Sequence, residues 1–348
     1  MKEKPIFVLM LRTTPEKMDI RGTASILKQV DKSYKVYIAC SQKYLAKTNK
    51  IKVKEFDVNN LTLKEDLILD LSQVVAMITR TSTPEWFKKN NPNLVLINNN
   101  KLRAFSSKSK QSKIPFYVPT MVVTEDKLIN EKILATLGGD EEYVVLKPDM
   151  GASSSNVIKV RKNVAAINLA IKKIRFKKSK GDLSSKNKPV LIQRFMPPTA
   201  IKGLRPNTLE DAKKLERAKN AIEIRVYIHS GKSNIPFMHC VGRWIEPWGG
   251  EGRVTSIDEW ISIDQSSIPN VVFSIADKIA RKIKKDTESD GMFIAVDLFK
   301  SIDGKFIFRE LNVKNPAIPK DFETFIDNAK VCNNYAIFLK ELLKSSKN

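Results

Sequence analysis

The chain has 348 residues, 42% hydrophobic and 28% charged. That length and balance suit a soluble globular protein of two or three domains and exclude a peptide-sized binder. Lys and Arg number 61 against 38 Asp and Glu, a formal charge of +23. Such a surface would steer in nucleic acid, an acidic polypeptide tail or a polyphosphorylated metabolite, although a lysine-rich proteome alone gives the same total. No apolar run approaches membrane-spanning length, so no membrane is expected as a partner. The start, MKEKPIFVLMLRTT, reads as a buried first strand rather than a signal peptide. Cys40, Cys240 and Cys332 are too widely spaced for a metal motif or a disulfide framework. They point to a reducing, cytoplasmic setting.

In chain order, apolar runs at Pro5–Leu11, Lys35–Cys40, Val74–Ile78 and Asn93–Ile97 alternate with polar or helical stretches such as Thr62–Leu71, the pattern of a small α/β domain. NNNKLRAFSSKSKQSKIPFYVPT then reads as a helical piece ending near Ile114-Pro115 and an extended connection through Tyr117 to Pro119. A second unit holds strands at Tyr143–Lys147, Asn156–Val160 and Val190–Phe195 and a helix near Ala165–Ile174; the basic stretch KKSKGDLSSKNK within it reads as an exposed loop.

From Pro197 a third unit begins, with a charged helix at Leu209–Lys219 and a strand pair, Glu223–His229 and Ile235–Trp244. The amphipathic helix Val271–Ile283 precedes an acidic hairpin, and a closing helix presents Val331, Tyr335, Phe338, Leu339 and Leu342 at core spacing. The expected boundaries are residues 1–120, 121–196 and 197–348.

The hairpin, GMFIAVDLFKSIDGKFIFRELN, carries the most chemistry. Asp303-Gly304 suits a two-residue type I′ turn, which sets Ile302 opposite Lys305, Lys300 opposite Ile307 and Asp297 opposite Glu310, with Asn312 further along the same face. Two carboxylates facing each other call for a cation, a shared proton or strong solvation. Carboxylate and amide oxygens suit Mg²⁺, or Mn²⁺ in its place. The competing reading leaves both acids on a solvated edge beside lysines.

In VVLKPDMGASSSNVIKV, Lys147 ends a strand and Gly151, Ser153, Ser154 and Ser155 form a small-residue turn. Backbone N–H groups and hydroxyls in such a turn can approach phosphate closely, as can those of any polar hairpin tip. Glu223, Arg225 and Arg243 share a strand-pair face, where a salt-bridged surface is the simpler reading. Arg253, in WGGEGRVT, could clamp a carboxylate or phosphate. His229 and His239 read as plain strand residues without a nucleophile beside them.

Taken in order from Asn98 to Pro316, these segments resemble the ATP-grasp superfamily, specifically its glutathione synthetase and ribosomal-protein glutamate ligase branch. That resemblance implies an α/β (α+β) fold in which an N-terminal α/β domain precedes two α+β subdomains clasping ATP. It implies that Lys101 and Lys147 reach the nucleotide, that the backbone from Gly151 to Ser155 cradles phosphate, and that the hinge Gln193, Arg194, Phe195 and Met196 carries adenine. Glu223 would lie near ribose, while Arg225, Arg243 and Arg253 would hold phosphate and an acyl intermediate. Asp297, Glu310 and Asn312 would hold the metal. Arg194 stands where the resemblance calls for an acid, and VKNPAI follows Asn312 in place of a small-residue-Pro-Gly loop. The implied activity is an ATP-dependent carboxylate–amine or carboxylate–thiol ligase working through an acyl phosphate on an anionic small molecule or an acidic peptide or protein. Alternatives are a kinase of the same fold acting on a phosphorylated metabolite, and a non-catalytic ATP-binding assembly factor or nucleic-acid-binding protein.

Overall fold

A computed structural model describes residues 4–11, 27, 30–45, 48–57, 59–60, 62–79, 83, 86–124, 128–150, 157–176, 189–218, 222–231, 236–244, 252–253, 259–313 and 326–345. The described strands form three sheets.

The first sheet combines β1 (Ile6–Leu11), β2 (Lys35–Leu45), β3 (Lys50–Asp57), β4 (Thr62–Asp70), β5 (Val74–Thr79) and β6 (Val95–Ile97) in the order β4-β3-β2-β1-β5-β6. β2, β1, β5 and β6 run parallel, with β3 and β4 antiparallel at one edge. Thr62–Asp70, read above as polar or helical, is therefore an edge strand. Its Leu69 faces Ile51 across the ladder, and this pairing overrides the helix-forming Leu, Lys and Glu content. The short α1 (Trp86–Asn90) packs Phe87 against this sheet.

α2 (Asn100–Arg103) and α3 (Lys108–Gln111) form the connection expected before the second unit, broken by a 3₁₀ turn at Ala104–Ser106. The second sheet contains β7 (Thr120–Val123), β8 (Tyr143–Pro148), β9 (Ile158–Arg161) and β10 (Val190–Arg194), with α4 (Glu131–Ala135) and α5 (Val164–Phe176). Ile167, Ala170, Ile171 and Ile174 of α5 pack on Val144, Leu146, Val190 and Ile192, which gives this unit, labelled the lid for its place in the chain order, a core of its own. The basic loop 177–188 lies outside the described residues.

After α6 (Leu209–Ala218), the third sheet runs β14-β12-β11-β15-β16, all antiparallel, from β11 (Ile222–Ser230), β12 (Phe237–Trp244), β14 (Glu259–Ile261), β15 (Met292–Lys300) and β16 (Phe306–Asn312). The intervening β13 (Gly252–Arg253) crosses to pair with β9, so the third unit lends an edge strand to the lid sheet.

One face of the third sheet is covered by α7 (Asn270–Thr287), whose Val272, Ile275, Ala276, Ile279, Ala280 and Ile283 recur at three- and four-residue spacing and are buried. Burying each of its isoleucines contributes roughly 1.5–3 kcal/mol. Part of the other face is covered by α8 (Ile326–Ser345), whose Val331, Tyr335, Phe338, Leu339 and Leu342 join Phe7, Leu9, Ile38 and Phe293 in a core shared with the first sheet. The first and third units are thus one packed body. Gly291 sits where they meet, and a Cβ there would lie 2.7 Å from Leu342 Cδ2.

Asn98 fastens this joint. Its amide donates to the carbonyls of Phe293 at 2.8 Å and Val313 at 3.1 Å and accepts from Phe293 N–H at 2.8 Å, in full burial. Gln111 grips Leu311 in the same way, accepting from its N–H and donating to its carbonyl, each at 2.9 Å. With Phe308 N–H bonded to the Phe116 carbonyl and Val118 N–H to the Phe308 carbonyl, on either side of Tyr117, this closes the outer edge of β16.

Candidate functional site

The acidic hairpin brings Asp297 opposite Glu310, as the turn reading expects, but by a different route. Only Gly304 has φ > 0, at +81°, and Gly304 N–H bonds to the Ser301 carbonyl. The loop therefore holds three residues, Ile302 to Gly304, instead of the two of a type I′ turn. Lys300 consequently faces Phe306 rather than Ile307, and a bulge at Arg309 restores the register before Asp297.

Asp297 is fully buried. Arg225, its cross-strand partner on β11, forks onto it, Nε to Oδ1 at 2.6 Å and Nη2 to Oδ2 at 2.7 Å. Asn312 donates its amide to Oδ2 at 3.2 Å. Arg243 lies 3.6 Å from Asp297 and 3.5 Å from Glu223, and Arg309 donates to Glu223 at 2.7 Å. Trp260 lies under the guanidiniums, with its ring centre 5.0 Å from Arg225 and 5.7 Å from Arg243. Burial works against both charges of the Arg225–Asp297 pair, yet their mutual attraction wins, so Arg225 is held above the ordinary arginine range and Asp297 below the carboxylate range. Glu223, whose Oε1 has no hydrogen-bond partner, is pushed up by burial, opposed by Arg309 and reinforced by Asp297.

Lys147 reaches the same place from the lid. Burial first, then the charges of Arg309 and Lys108, pull its ammonium down to about 7, against the attraction of Glu310 and Glu223. Asp149, two residues on, accepts from Ser109 N–H at 2.7 Å and from the Ser107 hydroxyl at 2.9 and 3.0 Å, tying the end of β8 to the start of α3. Tyr117 stacks edge-on against Phe308 at 5.1 Å, and its buried phenol is raised by desolvation and then by Glu310.

The structure thus assembles Lys147, Glu223, Arg225, Arg243, Asp297, Glu310 and Asn312 in one cleft. Lys101 is elsewhere: it is exposed and pairs at 2.5 Å with Glu288 at the end of α7. The chain breaks helix after Arg103, and Lys108, buried beside Lys147, is the lysine that this segment delivers. Gln193 is buried and donates to Thr120 Oγ1 at 2.9 Å. Arg194 turns away to Glu141 within the lid, Nε to Oε1 at 2.8 Å. Phe195 and Tyr143 flank the Lys159 ammonium at 4.1 and 4.4 Å, with Met196 following in the same extended segment. Gly151, Ser153, Ser154 and Ser155 lie outside the described residues. Arg253 is placed by its backbone opposite Ile158, and its side chain is outside them too.

Arg309, Lys108, Lys159, Tyr117 and Trp260 were not singled out by sequence. Ser107, ahead of α3 in extended conformation, was the available signal for a fresh helix carrying Lys108. A bulge leaves no comparable mark at Arg309.

Among the described residues no group of three or more His, Cys, Asp and Glu side chains forms. The candidate ligand set is two carboxylates and an amide, which fits an ion that takes one or two carboxylates and completes its shell with water and phosphate. Glu310 and Asn312 are half-buried, whereas both oxygens of Asp297 are engaged by Arg225.

No protein-family profile and no curated protein matches the chain. Solved structures do. VanG D-Ala:D-Ser ligase from Enterococcus faecalis is 11% identical with a TM-score of 0.59, covering 99% of this chain and 100% of its own. D-alanyl-alanine synthetase A from Vibrio cholerae is 12% identical with a TM-score of 0.58, covering 99% and 98%. A RiPP-associated ATP-grasp ligase from Chryseobacterium gregarium, solved with ADP and a leader and core peptide, is 13% identical with a TM-score of 0.54, covering 97% of each. At such identities the likeness speaks to architecture, and the architecture of this chain is the ATP-grasp fold.

Proposed function

We propose that the protein is an ATP-dependent ligase that joins a carboxylate to an amine or thiol, with ADP and phosphate as the other products. The observation that carries this reading is the convergence of the lid lysine Lys147 with the Asp297–Glu310–Asn312 hairpin, backed by Arg225 and Arg243. No nucleophilic side chain is required.

In this reading Lys147 and Lys108 neutralise phosphate charge, and Arg225 and Arg243 face the oxygens that gain charge as the carboxylate attacks the terminal phosphorus and ADP leaves. The amine then attacks the acyl carbon, phosphate departs and the amine proton passes to solvent. Mg²⁺ or Mn²⁺ held by Glu310, Asn312 and Asp297 would supply Lewis-acid neutralisation of the phosphates. The lid face, lined by Val145, Leu191 and Gln193, excludes water from a reactive acyl group. The hinge backbone from Gln193 to Met196 is the adenine-binding segment in this reading, and Arg253 and the segment 151–155 complete the phosphate site.

The cation-rich cleft and the charge of +23 favour an anionic substrate. A peptide or protein substrate is consistent with two similar ATP-grasp ligases, one solved with a leader and core peptide and one with a minimal precursor, Mg and ADP. Cys240 and Cys332 are buried as thiols, which suits a reducing cytoplasm, and no described helix is long and apolar enough to cross a membrane. The glutathione synthetase-like branch stays a proposal on the motif order alone.

The test is Mg–ATP turnover by wild type and Asp297→Asn over a panel of carboxylates with and without amines. Turnover that needs both partners and is lost in the variant supports the ligase. Turnover with an anionic acceptor and no amine moves the reading to a kinase of the same fold, and ATP binding without turnover moves it to a scaffold.

A further inference from the structure

Between the pairs Leu298↔Phe308 and Asp297↔Glu310, β16 has one residue more than β15, and that residue is Arg309. In a regular ladder a residue beside Glu310 would point to the opposite face, where Phe308 and Leu298 are sealed under α7. A bulge sets two consecutive residues against one and breaks the alternation. Arg309 uses that break to reach Glu223 on the cleft face, its Nη2 to Oε2 at 2.7 Å.

The site gains a further cation, paired with the buried Glu223. Lys108, Lys147, Arg225, Arg243 and Arg309 stand against Asp149, Glu223, Asp297 and Glu310, an excess of cations in a desolvated cleft. Arg225 and Arg243 are committed to Asp297 and Glu223 with side chains 6% and 13% exposed. Arg309, at 18%, is the most open of the three arginines and lies within the field of the Lys147 ammonium. Two neighbouring cations that repel each other are relieved by a shared anion between them.

The position along the cleft narrows the choice of anion. Arg309 immediately precedes Glu310, a proposed metal ligand, and metal ions in phosphoryl transfer bridge the last two phosphates of a nucleotide. The geometry points to Arg309 as a binding residue for the terminal phosphate of ATP, set in place by the β16 bulge and by Glu223, a role that rests on the nucleotide reading above. Glu223 thereby acts on arginine orientation rather than on ribose.

The bulge supplies its own control. Deleting residue 309 removes the extra residue and leaves Asp297 opposite Glu310 in an uninterrupted ladder, so register and metal hairpin survive without the arginine. The experiment is equilibrium binding of Mg–ATP, Mg–ADP and AMP to wild type, Arg309→Met, Arg309→Lys and the deletion. Loss of one charge-assisted contact predicts about 10- to 100-fold weaker ATP binding in the methionine and deletion variants. The loss is smaller for ADP and absent for AMP, with part of the ATP affinity retained by lysine. Should the methionine variant fail to fold because Glu223 loses its partner, Glu223→Gln/Arg309→Met carries the same comparison. Equal weakening of all three nucleotides, or unchanged ATP affinity, overturns the inference. Wild-type protein that binds none of them overturns the nucleotide reading itself.

Discussion

Arg225 holds both carboxylate oxygens of Asp297 across the β11–β15 ladder, at 2.6 and 2.7 Å, with almost no solvent on either side chain. A buried pair of this kind is far costlier to break than to replace. Arg225→Met should destabilise the fold by about 3–5 kcal/mol, because Asp297 keeps only the Asn312 amide and the looser Arg243 contact. The double variant Arg225→Met/Asp297→Leu should recover most of that loss. Urea denaturation of the three proteins decides it, and a double variant no more stable than the single would count against the pair.

Lys147 makes stability and nucleotide affinity depend on pH. Its folded value is depressed from 10.5 to about 7. Between those limits the unfolded chain holds a proton that the folded chain lacks, so stability should climb as pH rises from about 7 to 10.5, and Lys147→Met should flatten the climb. Phosphate beside the ammonium favours the charged form, so Mg–ATP binding at pH 8 should take up a proton. Calorimetry in buffers of different ionisation enthalpy reads this directly; wild type and Lys147→Met showing the same uptake would contradict it.

Two lysines seven residues apart should behave oppositely. Lys101 is exposed and paired with an exposed Glu288, so Lys101→Ala should change stability by less than about 0.5 kcal/mol and leave ATP affinity intact. Lys108→Ala should weaken ATP binding by about 10-fold or more. A fluorescence titration with a nucleotide analogue distinguishes them, and the reverse ranking would return the role to Lys101.

Asn98 has φ of +58° and supplies three buried hydrogen bonds at the junction of the first and third sheets. Asn98→Ala leaves the Phe293 N–H and two carbonyls unpaired and also strains the backbone. A loss of about 3 kcal/mol or more is expected. Asn98→Gly loses the same bonds without the strain, so it should be the milder change by about 1 kcal/mol. Equal denaturation midpoints for the two would remove the strain argument.

Asp297 and Glu310 face each other as the sequence suggested only because two departures from the expected hairpin offset one another. The loop ran one residue longer than Asp303-Gly304 suggested, the bulge added one residue to the other side, and the two offsets cancelled. The bulge itself, and with it Arg309, stayed hidden because its cause is three-dimensional: the pull of Glu223 from a strand 86 residues earlier. Lys101 and Lys108 are parted by a break in the helix that depends on where Asp149 docks, which no local pattern announces. Thr62–Asp70 carries local helix formers, but the hydrogen bonds of β3 outweighed them. The apolar faces of α7 and α8, by contrast, needed only their spacing.

Closing the β16 edge with residues 111–118 has a mechanical result. Because Gln111 and Val118 are bonded to the third sheet, the chain is free to turn toward the lid only beyond Val118. The return crossing passes Arg194, whose N–H bonds to the Pro119 carbonyl. Both crossings are thus bound side by side at one point, and β13 on β9 is a further tie between the third unit and this sheet. The Asp149 contacts with Ser107 and Ser109 fasten the end of β8 to the start of α3 as well, so the second sheet is held at its strand ends and not only at its crossings.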